Sequence, residues 1–138
     1  MTPEERVRAS FEKQAFMRTL GARLARVEAG AVDIELAFDE RLTQQHGFLH
    51  AGAIASVVDS ACGYAALTLM DADVAVLTVE YKINLLEPAD GDVVVAEGRV
   101  VRAGRNLTIC RGDARAGSRH IATATATLAA VRGRTLSD

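Results

Sequence analysis

Residues Gln44–Ala66, QQHGFLHAGAIASVVDSACGYAA, hold two histidines, a cluster of small residues and a single acid, Asp59, in an otherwise apolar run. A carboxylate in apolar surroundings has its pKa pushed upward, which suits a general base or a nucleophile. On a helix from about Ala51, residues Ile54, Ala55, Val58, Cys62 and Ala66 form a stripe toward a sheet, and Asp59 borders it. The alternative turns Asp59 to water or to a neighbouring arginine, but so apolar a helix has almost no solvent face to offer. Ala51, Gly52 and Ala53 are small enough for a ligand to approach the free N–H groups of the first turn. Those donors and the helix dipole would stabilise a developing oxyanion. The same small residues would equally serve tight packing of helix on sheet.

A distance constrains how these groups cooperate. Ala51 and Asp59 are eight residues apart, about 12 Å along a helix rising roughly 1.5 Å per residue. If both act on one carbonyl, one of them must come from a second subunit, and the site lies at a dimer interface.

The remaining reactive side chains carry less. His50 is placed to orient the loop or to bond a backbone carbonyl, His46 reads as a loop residue, and His120, at a strand start, reads as exposed. With Asp59 they make no metal-ligand spacing, so no metal is expected. Cys62 as a nucleophile would need His50 as its base twelve positions away, and core cysteines are mostly inert.

The elements that must position these groups follow from pattern. Thr2, Pro3 and Glu5 read as N-cap, first-turn proline and capping-box acid, and Phe11, Ala15, Phe16 and Leu20 continue a helical stripe to Gly21. One helix over about 3–20 is expected. LARVEAGAVDIELAF alternates around Glu28–Gly30, giving two short strands or one bulged strand, and Asp39–Leu49 is a polar loop. From Val74 four strands follow, separated by turn signals at Glu87–Gly91, Ala103–Arg105 and Ala116–Ser118. Successive strands with tight turns imply an antiparallel sheet, and the one long apolar helix must pack on its face. The outline is an α+β protein of hotdog architecture, a sheet wrapped around one long helix with an extra N-terminal helix. A single domain is expected over 1–138, with its core at about 22–132.

Composition narrows the function classes. A net charge of −2 and 4% aromatic residues argue against binding nucleic acid. Cys62 and Cys110 show no CxxC spacing and the N-terminus no signal-peptide core, so a reduced, cytoplasmic protein is expected. Ala51–Met70 has the length of a membrane span, but Asp59 near its middle would cost about 2.5–3.5 kcal/mol there. No membrane association is expected.

The pattern H-G-x-x-H-[AG]-G-x6-D-x-A-x-G-Y-A, with Gln44 six before the second histidine, resembles the PaaI-type branch of the hotdog-fold acyl-CoA thioesterases. The resemblance runs from about Leu42 to Val131 and includes EYKINLLEPADGD and GRVVRAGRNL. It implies that Asp59 attacks the thioester or activates water, and that Gln44 holds the carbonyl or the water. It makes the Ala51 N–H, with Gly52 next to it, the oxyanion donor, and places Thr78 beside the acid. It further implies that the turn with Arg102, Arg105 and Asn106 holds coenzyme A phosphates, although a solvated basic turn fits the residues as well. A homodimer or homotetramer is implied, with coenzyme A as part of the substrate and no separate cofactor. Two departures stand out: HAG replaces the commoner HGG, and Gln44 stands where many members have asparagine. A hotdog enoyl-thioester hydratase or dehydratase is the rival enzyme, with His46 or His50 paired to an acid, but its proline-containing loop is missing. A non-catalytic acyl-CoA-binding hotdog is the rival from another class, and no DNA-binding segment marks it. The acyl group itself is not legible.

Overall fold

In the computed structural model, which describes residues 1–133 and 136, the chain starts with a complete capping box. The Glu5 N–H donates to Thr2 Oγ1 (3.1 Å) and the Thr2 N–H to Glu5 Oε2 (2.7 Å), which starts α1 at Pro3–Lys13. The single helix expected over 3–20 is in fact two. Gln14 is extended (φ −79°, ψ 96°) and separates α1 from α2, Ala15–Leu20, which Gly21 ends at φ 73°. No glycine or proline marks this break. It occurs where the Gln14 side chain is committed to tertiary partners, Tyr64 and Ser60.

β1 (Ala22–Glu28) and β2 (Ala31–Leu36) form a hairpin through Ala29 and Gly30, so the alternating stretch makes two strands, the first of them bulged between Leu24 and Arg26. A short 3-10 turn at Glu40–Leu42 leads to α3, Ala51–Leu67. Four strands follow: β3 (Ala75–Leu85), β4 (Val94–Ala103), β5 (Leu107–Ala116) and β6 (Arg119–Val131). The sheet order is β1-β2-β4-β5-β6-β3, with every neighbouring pair antiparallel. The sheet curls around α3, whose Ile54, Val57, Val58, Ala61, Cys62 and Ala65 are all buried. This is the hotdog fold.

Two glycines set how closely α3 lies on the sheet. Gly98 and Gly112 face each other across β4 and β5. A Cβ at Gly98 would sit 2.3 Å from the Ala61 carbonyl oxygen, and one at Gly112 2.6 Å from Val58 Cγ1. Side chains there would push the helix off the strands, and Asp59 with it.

β3 occupies one end of the strand order, so one of its edges is unpaired by any described strand. Val79, Tyr81 and Leu85 on this strand are about half exposed. On β5 and β6, His120 is half-buried rather than exposed, because its Nε2 lies 2.7 Å from Asp113 Oδ1. Burial raises the Asp113 carboxyl, but hydrogen bonds from Thr123, Arg111 and His120 outweigh it and hold the group below its ordinary value. No helix among the described residues is long and apolar enough to cross a membrane.

Candidate active site

The start of α3 forms one candidate centre. His50 is its N-cap, and the imidazole Nδ1 accepts from the Gly52 N–H at 2.7 Å. The Ala53 and Ile54 N–H groups both donate to the His50 carbonyl. Of the first-turn donors this leaves the Ala51 N–H without a partner among the described residues, on an exposed residue. Gly52, paired with Ala51 as an oxyanion donor on the sequence alone, has its N–H committed to the histidine.

Gln44 stands beside this helix start with its polarity sorted. Its Oε1 accepts from the His46 and Phe48 N–H groups, which closes its own loop. The carboxamide nitrogen is therefore the end left for a ligand. Gln44, His50 and Ala51 line one cavity of about 350 Å³, together with Ile54, Leu85 and Leu86. His46 is exposed, and its backbone serves the Gln44 loop.

Asp59 forms the second centre, in the middle of α3. It is half-buried, and Thr78 Oγ1 on β3 donates to its Oδ1 at 2.8 Å. Burial raises the carboxyl and the Thr78 bond lowers it, with a net displacement above the ordinary aspartate value. Oδ2 carries no hydrogen bond among the described residues. Asp59 and Thr78 line a separate cavity of about 210 Å³ that also meets Ser10, Gln14, Ser60 and Tyr64. The last four were not singled out from sequence, because their meeting depends on how α1 folds back on α3.

The other candidates lie apart from both centres. Cys62 is fully buried, and burial first, then neighbouring Cys110, raises its thiol far above the usual range. Burial also pushes the Cys110 thiol to about 12. Neither is a thiolate at neutral pH. Arg102, Arg105 and Asn106 are exposed on the β4–β5 turn and line neither cavity. Arg132, unremarked in the sequence, reaches across to this turn and donates to Asn106 Oδ1 (3.3 Å) and the Arg105 carbonyl (2.6 Å). The turn lies toward the Asp59 end of the sheet, since Thr78 pairs with Leu128 and Leu128 with Thr108.

Residues 46–123, which include His46, His50, Ala51, Asp59 and Thr78, match the thioesterase superfamily. The chain belongs to the thioesterase superfamily. It is a thioester hydrolase. A protein of Saccharolobus solfataricus named as an esterase is 33% identical to this thioesterase over 108 residues, covering 78% of this chain and 76% of its own. The crystal structure of a thioesterase family protein from Silicibacter pomeroyi is 50% identical, with a TM-score of 0.92 over 95% of this chain and 99% of that one. The E. coli PaaI protein of the phenylacetic acid degradation operon shares the fold at 19% identity, with a TM-score of 0.87 over 95% and 94% of the two chains.

Proposed function

We propose that this thioesterase hydrolyses acyl-CoA to a free acid and coenzyme A, at a site that two copies build together. The observation that carries the reading is the division of the groups. A donor pair, the Ala51 N–H and the Gln44 carboxamide, lines one cavity, while the carboxylate of Asp59 lines another about 12 Å along the same helix.

The β3 edge supports the assembly. The free edge of an eleven-residue end strand with exposed Val79, Tyr81 and Leu85 is a template for a second copy of itself. A two-fold axis there would set two α3 helices side by side in opposite directions. The start of one helix then approaches the middle of the other. The assembly is a homodimer, or a homotetramer formed as a dimer of dimers.

In the shared site the carbonyl oxygen of the thioester accepts from the Ala51 N–H and from Gln44. Asp59 takes a proton from water as the water oxygen bonds to the carbonyl carbon. The oxyanion collapses, the C–S bond breaks, and the proton passes from Asp59 to the departing thiolate. Thr78 keeps Oδ1 occupied, so that Oδ2 faces the water. The reaction uses protein groups alone, with coenzyme A as part of the substrate. Arg102, Arg105 and Asn106, with Arg132, form the basic turn for its phosphates. The cytoplasm suits two free, buried cysteines.

A hydratase would need a histidine and an acid on one substrate. His50 Nδ1 is instead engaged in capping α3, and His46 is exposed. The test is thiol release from a panel of acyl-CoAs by the wild type and by Asp59→Asn. Turnover that disappears in the variant supports the proposal, and equal turnover by both removes Asp59 from the chemistry.

A further inference from the structure

Beside Asp59 and Thr78 the cavity wall is polar, built by Ser10 and Gln14 of the N-terminal segment and by Ser60 and Tyr64 of α3. Ser10 Oγ and Gln14 Nε2 both donate to Tyr64 Oη, at 3.1 and 2.9 Å, and Ser60 Oγ donates to Gln14 Oε1 at 3.1 Å. Phe11 stands edge-on to the Tyr64 ring with centroids 6.0 Å apart, which fixes the tyrosine against α1. Gln14, at the break between α1 and α2, lines this cavity. These hydrogen bonds do not exhaust the wall. Gln14 Nε2 has a second N–H, and Ser60 Oγ keeps its lone pairs, neither with a partner among the described residues. One donor beside one acceptor is the complement of a hydroxyl group.

The part of the cavity that one chain supplies has about 210 Å³, and Val76 is the single aliphatic side chain larger than a methyl that lines it. At Gly63, one turn beyond Asp59, an added Cβ would meet nothing within 4 Å, so this side of the cavity is open near the carboxylate. An alkyl tail placed here would strip water from Gln14 and Ser60 without replacing its hydrogen bonds.

We infer that the site takes compact acyl groups with a hydroxyl close to the thioester, selected by Gln14 and Ser60. The inference rests on the thioesterase reading above, with Asp59 as the acting carboxylate. The experiment compares 3-hydroxybutanoyl-CoA with 3-methylbutanoyl-CoA, which differ by a hydroxyl in place of a methyl, and with dodecanoyl-CoA. Wild-type kcat/KM should favour the hydroxyl over the methyl on the order of tenfold, with dodecanoyl-CoA poorest. Gln14→Leu should bring the hydroxyl-to-methyl ratio close to one. Ser60→Ala should move it in the same direction with less change of volume, so the inference stays testable if the leucine loosens α1. A wild type that prefers the methyl or the long chain, or a ratio that neither variant moves, overturns the selection while leaving the hydrolase reading intact. If no acyl-CoA turns over above the Asp59→Asn background, the hydrolase reading falls and the selection with it.

Discussion

At the start of α3 the candidate reactive groups are the backbone amide of exposed Ala51 and the carboxamide of half-buried Gln44, held mostly by bonds within residues 42–54. Eight residues further along the same helix the candidate reactive group is a carboxylate, half-buried and bonded by Thr78 of β3, in a cavity that Ser10 and Gln14 also line. The first centre is a local product of how a loop enters a helix. The second is a product of tertiary assembly. The Ala51 amide and the Gln44 carboxamide stand at one centre and the Asp59 carboxylate at the other, and that division is the structural argument for a second copy.

The largest effect tests the buried half. Asp59→Asn should lower kcat by about 10²–10⁴-fold while the fold survives. The raised Asp59 carboxyl also fixes two pH dependences. Activity needs the carboxylate, so kcat/KM should fall on the acid side with a midpoint above the ordinary aspartate value. For stability the sign is opposite. The fold favours the protonated form, so the Asp59 contribution is present below the unfolded value and is lost as pH rises through the folded one. The asparagine variant does not undergo that loss. Its melting temperature should equal or exceed that of the wild type at neutral pH, and the difference should shrink toward acid pH, as followed by thermal unfolding across the range.

A smaller effect tests the exposed half. His50→Ala removes the acceptor of the Gly52 N–H and should cost about 1 kcal/mol of stability. It should lower kcat more than it raises KM, because the Ala51 amide loses its fixed direction. Asparagine is a strong N-cap without an ionisable ring, so His50→Asn should recover most of both. Equal losses in the two variants would instead give the imidazole a direct role.

The smallest effect tests whether either half reaches the β4–β5 turn. Arg102→Ala or Arg105→Ala should raise KM for acyl-CoA several-fold and leave hydrolysis of a pantetheine thioester nearly unchanged. Equal change on both substrates would make the turn solvated surface.

The difference between the halves also explains what was legible in the sequence. The antiparallel sheet, the long helix and the hairpin turns at Ala103–Arg105 and Ala116–Ser118 are written in local periodicity and turn residues, and the structure has them. Glu87–Gly91, expected as a tight turn, lies instead in a crossover between β3 and β4, which do not pair. Asp59 was conspicuous because one acid in an apolar helix violates the local pattern. The break at Gln14 was not legible: no glycine or proline marks it, and the partners of the Gln14 side chain lie 46 and 50 positions away, at Ser60 and Tyr64. The same holds for His120, whose partner Asp113 sits on the neighbouring strand. Gly98 and Gly112 were present as isolated glycines within strand patterns, a known sign of close backbone approach, but nothing in sequence pairs them under one helix. The His50 cap was within reach as an N-terminal residue next to small ones, yet imidazole is not among the usual capping side chains.

The central claim is that Asp59 of one copy works with Gln44 and the Ala51 amide of another. Asp59→Asn and Gln44→Glu, each inactive alone, should be unfolded together, refolded as a mixture and assayed for acyl-CoA hydrolysis. Gln44→Glu keeps the oxygen that closes the loop and removes the donor. In a shared site each mixed dimer carries both lesions in one site and none in the other, so a one-to-one mixture should regain about a quarter of wild-type activity. A mixture that stays as inactive as its parents, although mixed dimers are present, would place both groups in one subunit's site and contradict the account.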